Sequence, residues 1–253
     1  MAGKISIVVT TYNRERYIGA AVESILTQTK RELELIVWDD GSTDRSVEVA
    51  IESGKGDPRL RVVAAGHTGF AGALKGAIAQ TNGDYVGWVD SDDFLAPTAL
   101  EETAAVLDAR PEVGLVYTDY AVTDSRGQVK SLGQRCRIPY SPDRLLVDFM
   151  VFHFRLFRRE LYDLVGGINP KFNRACDYDL CLRMSEVTQI EHLPKPLYYY
   201  RRHGQNMTEQ QLEQIVESQQ VVEEAIARRG LDKDYELEVK IIGQFSLRRK
   251  HKP

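Results

Sequence analysis

The first half of the chain alternates between two periodicities, and that alternation limits the folds open to it. Short apolar runs rich in β-branched residues occur at 5–10 (ISIVVT), 33–39 (LELIVWD), 60–65 (LRVVAA), 84–90 (DYVGWVD) and 113–120 (VGLVYTDY). Runs of this length and composition suit strands buried on both faces. Between them lie segments of helical period. In 16–29, Ile18, Ala21, Val22, Ile25 and Leu26 share one face, and 43–53, 69–83 and 96–111 also read as helices. Ser42 or Thr43 can cap the second helix, Gly83 can end the third, and Pro97 sits near the first turn of the fourth. Strands joined by single helices require right-handed crossovers and a parallel sheet covered on both faces. The expected class is α/β, a mainly parallel sheet flanked by helices.

The second half is less regular. A hairpin is expected at 121–129 around Arg126 and Gly127, then a strand and a short helix over 152–167 ended by Gly166 and Gly167. A helix follows at 177–187, an aromatic strand at 196–203, a long polar helix at 209–229 and a further helix at 233–247. No repeat, low-complexity segment or linker interrupts the chain. The expected organisation is one domain over 1–208, with a helical extension over 209–253 packed on or beside it.

In sheets of this kind ligands bind at the carboxyl ends of strands, near a switch in strand order. Three of those ends are polar here: Thr10, Thr11, Tyr12 and Asn13; Asp39, Asp40, Gly41 and Ser42; Asp90, Ser91, Asp92 and Asp93. They define one crevice. The last group crowds three carboxylates into four positions behind an apolar strand, where like charges repel. The bland reading is an acidic turn, with Asp93 capping the helix near Pro97. The functional reading is a site for Mg²⁺ or Mn²⁺, whose charge would offset the aspartates and the phosphates of a nucleotide together. The segment 39–44 (DDGSTD) is either a helix-capping turn or a carboxylate placed to accept from a base imide or a ribose hydroxyl. The segment 10–13 (TTYN) offers hydroxyls and an aromatic face for stacking.

Asp177 begins the helix at 177–187. It is either a cap that favours the helix dipole or a general base for a hydroxyl nucleophile. Asp179 and Arg183 stand at i,i+4, a structural pairing. His203 follows Arg201 and Arg202, which could reach phosphate oxygens.

A net charge of −4 over 253 residues provides no basic field for nucleic acid. Cys136, Cys176 and Cys181 are scattered, with neither a disulfide framework nor zinc spacing, which fits a reducing cytoplasm. The start of the sequence shows no leader, and no apolar run approaches the ~18 residues of a membrane span. The basic 247–253 segment (LRRKHKP) is either a solvated tail or a contact with anionic lipid, which leaves a peripheral membrane position open.

In order, 5–29, 34–46, 67–97, 157–172, 177–184 and 199–208 resemble family 2 glycosyltransferases of the GT-A fold, spanning roughly residues 5 to 208. The resemblance implies that Thr10 and Tyr12 face the nucleobase, that Asp40 binds it, and that Asp90 contacts the ribose. It implies that Asp92 binds the metal and that His203 is a second ligand. The family's base lies in an acidic pair before xDLxLR. Here the stretch reads CDYDLCLR, so Asp177 matches the base, Asp179 matches the next acid, and Cys176 stands where Glu is common. The family often has Arg in the 73–78 segment. Here Leu74 stands there, and Lys75 is the available cation for phosphate.

The activity implied is inverting transfer from a nucleotide-sugar donor to a hydroxyl of a glycan, a lipid-linked or another acceptor. UDP is the favoured nucleotide, with dTDP and GDP open, and oligomeric state is not implied. A sugar-nucleotide pyrophosphorylase would want a glycine-rich grip after strand one, and no glycine precedes Gly19 there. An aspartyl phosphatase would want Thr or Val where Phe94 sits. A non-catalytic nucleotide-binding module would need no base at Asp177.

Overall fold

The computed structural model describes residues 3–204 and 211–240. The first half follows the expected alternation: β1 (Ile5–Thr11), α1 (Ile18–Leu26), β2 (Leu33–Asp39), α2 (Ser46–Gly54), β3 (Leu60–Ala64), α3 (Phe70–Ala79) and β4 (Tyr85–Trp88). Then come a two-residue β5 (Phe94–Leu95), α4 (Ala99–Ala109) and β6 (Val113–Thr123). The second half supplies β7 (Val129–Leu132), β8 (Arg155–Arg158), α5 (Arg159–Leu164), α6 (Cys176–Ser185), β9 (Gln189–Arg201) and α7 (Gln211–Arg228).

The strands form one sheet in the order β3-β2-β1-β4-β8-β6-β9-β5, with β7 on β6. The β3, β2, β1 and β4 block is parallel. Ile5, Ile7, Val8 and Val9 of β1 are all fully buried, as a central strand covered on both faces demands. The rest of the sheet is mixed. β8 inserts antiparallel between β4 and β6, β9 is parallel to β6, and β5 and β7 are antiparallel edges. The chain leaves β1 toward β2 and β3 on one side and returns to β4 on the other. The carboxyl ends of β1, β2 and β4 therefore open onto one crevice.

Three local expectations change. Gly83 does not end α3, which stops at Ala79. Its role is close approach: a Cβ there would lie 2.8 Å from the Lys4 carbonyl oxygen, and its N–H donates to Ser6 Oγ. Neither Ser42 nor Thr43 caps α2. Asp44 Oδ1 instead accepts from the Ser46 N–H at 3.0 Å, just inside the helix. The helix expected at 233–247 is absent over 233–240, where the chain turns and then runs irregularly, and 241–247 lies outside the described residues. The basic tail lies outside them as well.

α7 packs into the main core through Val221, Val222 and Ala225, alongside α6. No side chain of its own caps α6. Glu217 Oε2 of α7 accepts from the N–H groups of Arg174 (2.6 Å) and Ala175 (3.1 Å), just before the first turn of α6. Among the described residues, no helix is long and apolar enough to cross a membrane.

Candidate functional site

The ends of β1 and β2 are tied by side chain to backbone bonds. Asn13 adopts a left-handed conformation (φ 53°), tolerable for Asn. Its N–H donates to Ser42 Oγ (2.9 Å), and its Oδ1 accepts from the Thr43 N–H (2.8 Å). Gly41 at φ 83° lets the β2 end pass the His67 backbone, where a Cβ would sit 3.2 Å from the His67 nitrogen.

Asp40 is buried and gives both oxygens to its own chain. Oδ1 accepts from Thr68 N–H (2.7 Å) and Thr68 Oγ1 (3.0 Å), and Oδ2 from Gly69 N–H (3.0 Å). His67 Nδ1 lies 2.9 Å from the same Oδ2. Asp40 thereby fixes the loop that carries His67 beside Tyr12, with ring centroids 4.6 Å apart. Tyr12 is 45% exposed, so this ring pair faces solvent at the crevice. Thr10 is half-buried near the end of β1.

The acidic group after β4 divides its labour. Asp93 is not a helix cap. It is fully buried, accepting from Tyr198 Oη (2.7 Å) and from the Arg201 N–H (2.6 Å). Burial and the charges of Asp92 and Asp90 push its carboxyl well above the usual range. Asp92 Oδ2 lies 2.8 Å from His203 Nε2 and 3.7 Å from Arg14 Nε. The His203 ring stacks on Tyr17 at 4.6 Å, which holds it over the crevice. Asp90 Oδ2 lies 4.0 Å from His153 Nε2. Burial first, then the charge of Asp92, raise the Asp90 pKa to about 7, and Arg155 opposes that rise.

The donor set fits a divalent cation. Carboxylate oxygens suit Mn²⁺ or Mg²⁺, and an imidazole beside them favours Mn²⁺ of the two; the crowded carboxylates of Asp90, Asp92 and Asp93 are the groups a cation's charge would offset. Asp90, Asp93 and His153 also bring one possible ligand atom each within 4.8 Å of one another. Both Asp93 oxygens are already engaged by Tyr198 and Arg201. Burial and the guanidinium charges of Arg155 and Arg135 push His153 well below its usual range.

Asp177 stands in the first turn of α6, its side chain 19% exposed. Its Oδ1 accepts from the Tyr178 N–H (2.8 Å), and its Oδ2 accepts from Arg155 Nη1 (3.0 Å). Arg155 also stabilises the ionised form of Asp90, and Asp177 pushes the Asp90 pKa upward. The two carboxylates thus share one electrostatic neighbourhood. Asp179 is buried and pairs with Arg183 Nη2 (2.6 Å), the structural role expected of it. Arg201 turns inward, donating from Nε to the Asp92 carbonyl (2.7 Å) and from Nη1 to that of Ser125 (3.1 Å), which anchors the acidic turn. Leu74 is fully buried and Lys75 is exposed.

Four contributors escaped the sequence reading: His67, His153, Arg155 and Tyr198. None lies in a polar strand end. Arg155 and His153 sit in an apolar stretch, FHFRLF, where a charged residue was itself the available signal.

The sequence pattern of the family described as Glycosyl transferase family 2 matches residues 6–166. The chain belongs to that family. It is 34% identical over 230 residues to chondroitin synthase of Escherichia coli, covering 90% of this chain and 33% of that protein. It is also 34% identical over 202 residues to hyaluronan synthase of Pasteurella multocida, covering 80% of this chain and 21% of that protein. The chain thus spans a third or less of the length of these two relatives.

The family member superposes on S. aureus TarS 1-349 in complex with UDP-GlcNAc, with a TM-score of 0.73 and 22% identity, covering 93% of this chain and 68% of that one. It superposes on Mycobacterium tuberculosis glucosyl-3-phosphoglycerate synthase in complex with Mn²⁺, UDP-glucose and phosphoglyceric acid, with a TM-score of 0.63 and 23% identity, covering 90% and 80%. Likeness at this identity establishes a shared GT-A fold.

Proposed function

We propose that this family member is an inverting glycosyltransferase that moves a sugar from a nucleoside diphosphate donor, UDP first among the candidates, to a hydroxyl of a glycan or lipid-linked acceptor. One observation carries the reading. The acidic turn after β4 and the Asp177 carboxylate lie in one electrostatic neighbourhood: Arg155 bonds Asp177, and the charges of both act on Asp90. A donor-side group and a proton acceptor therefore address the same space. Two complexes of structural neighbours, one with UDP-GlcNAc and one with UDP-glucose and Mn²⁺, support the choice of donor class.

In this account Thr10 and Tyr12 with His67 receive the base, Asp40 holds the base-binding loop, and Asp90 accepts from the ribose. Asp92 and His203 would hold Mn²⁺ or Mg²⁺, which would supply positive charge where a departing diphosphate gains negative charge. Asp177 takes the acceptor hydroxyl proton as the new bond to the anomeric carbon forms. The bond to the diphosphate oxygen breaks on the opposite face, and the nucleoside diphosphate leaves with the electron pair. One displacement inverts the anomeric centre. The work would be done in the cytoplasm, with peripheral contact at a membrane where the acceptor is lipid-linked.

The test is incubation with UDP-, dTDP- and GDP-sugars in Mn²⁺, Mg²⁺ or EDTA. Metal-dependent release of a nucleoside diphosphate supports the reading. Turnover only of a nucleoside triphosphate with a sugar 1-phosphate, releasing pyrophosphate, would assign a nucleotidyltransferase instead.

A further inference from the structure

A continuous series of rings runs from beside Asp177 to beside Asp90. Tyr178, next to Asp177, stacks on Phe149 with centroids 4.5 Å apart. Phe149 meets Phe152 edge-on at 6.1 Å, and Phe152 meets His153 at 4.2 Å. His153 in turn reaches Asp90. Phe149 and Phe152 are only half-buried.

One cation is built into this wall. The Arg135 guanidinium lies over Phe152 at 4.4 Å and over Phe149 at 5.6 Å, and its Nη1 donates to the Phe149 carbonyl (2.6 Å). The turn that carries it is pinned to β6. Gly133 N–H donates to the Tyr120 carbonyl (2.8 Å), and the Tyr120 N–H contacts Cys136 Sγ at 3.4 Å. A side chain at Gly133 would collide with the Tyr120 ring, so the turn sits flush against the strand.

Among the described residues, no carboxylate lies within ion-pair distance of Arg135. Asp148, on the same segment, is paired with Arg144 at 2.9 Å. Stacking on two rings offsets part of the cost of holding a half-buried cation. The guanidinium's remaining donors form a planar fork that matches a carboxylate. The adjoining rings suit the apolar C–H face of a pyranose.

We propose that Arg135, Phe149 and Phe152 form an acceptor subsite that takes a sugar bearing a carboxylate, a uronic acid. The proposal rests on the reading of this crevice as a glycosyl-transfer site. Phe149 lies 5.7 Å from the Arg155 guanidinium, which holds Asp177. The subsite is therefore adjacent to the base.

The test uses matched pairs that differ only at C6: methyl β-D-glucoside against methyl β-D-glucuronide, and methyl β-D-galactoside against methyl β-D-galacturonide. Affinities are measured by saturation-transfer NMR on the full chain with UDP and Mn²⁺ present, and UDP binding is measured by calorimetry on the same samples. At least one uronide should bind about tenfold more tightly than its neutral partner, as a charge-assisted contact provides. Arg135→Met should remove that preference, and Arg135→Lys should keep part of it. Equal affinity within both pairs would overturn the subsite, as would a preference that survives Arg135→Met. If UDP binds and no glycoside does, the subsite falls and the glycosyltransferase reading stands. Absence of UDP binding would overturn both.

Discussion

Arg155 donates from a single nitrogen, Nη1, to Asp177 Oδ2 and to the Val151 carbonyl, at 3.0 Å each. Its side chain is 3% exposed and its guanidinium lies over the Trp88 ring at 4.7 Å. The carbonyl and the ring fix the arginine, and the arginine fixes the carboxylate. The cost of a buried cation is met here by a carboxylate, a carbonyl and a π face acting together.

Asp177→Asn preserves the shape of the side chain and removes the proton acceptor. Transfer should fall by ~10²–10⁴ and nucleotide affinity should change far less, because the base touches the acceptor and reaches the donor side only through its charge on Asp90. Arg155→Met should lower transfer and also stability, and Arg155→Lys should recover part of both. Donor affinity, transfer rate and urea midpoint measured on all three variants separate a base from a purely structural acid. A wild-type transfer rate in Asp177→Asn would remove Asp177 from the mechanism.

Glu217 connects the C-terminal helix to this base. Its Oε2 takes the N–H groups of Arg174 and Ala175, immediately ahead of α6. Glu217→Ala should cost on the order of 1–2 kcal/mol, the scale of a lost helix cap. It should lower transfer more than nucleotide affinity, since α6 carries Asp177 while the nucleotide side is built from β1, β2 and β4. Chemical denaturation and steady-state kinetics on one preparation decide the point.

Asp40→Ala releases the Thr68 and Gly69 N–H groups and frees His67 beside Tyr12. Affinity for UDP should fall about tenfold or more, on the scale of losing several hydrogen bonds to a charged acceptor. Mn²⁺ binding should persist, because its proposed ligands lie after β4 and after β9. Calorimetry with UDP, and separately with Mn²⁺ alone, distinguishes the two.

The Asp57 carboxyl is held down at about 2 by hydrogen bonds from the Arg59 side chain and its backbone N–H. The unfolded chain binds that proton nearer pH 4. A depressed carboxylate contributes stability that is complete above the unfolded value and is lost as pH falls toward the folded one. The urea-midpoint difference between wild type and Asp57→Asn should therefore be constant from pH 5 to 7 and shrink below pH 4. It should stay small throughout, because the pair is partly solvated.

The parallel half of the fold was legible because burial on both faces writes itself as uninterrupted apolar runs. The polar ends of those runs identified the crevice. The place of β8 was not legible. Its four residues read as a strand, but nothing in RLFR announces that it lies antiparallel between β4 and β6, a long-range pairing set by the sheet as a whole. The role of Asp93 was not legible, because a buried carboxyl looks like an exposed one in sequence. Only Tyr198 and Arg201, over a hundred positions away, reveal its role. Arg155 and Glu217 were missed for the same reason, since the partners that define them come from other elements.

The central claim is that this crevice binds a nucleoside diphosphate through a cation held at Asp92 and His203. Calorimetry of UDP binding in Mn²⁺ and in EDTA, on wild type and on Asp92→Asn, tests it most directly. The account predicts that wild type binds UDP at least about tenfold more tightly with Mn²⁺ than with EDTA, and that Asp92→Asn loses most of that gain, the scale of a charged contact. Equal UDP affinity in Mn²⁺ and EDTA, or an undiminished Mn²⁺ effect in Asp92→Asn, would contradict it.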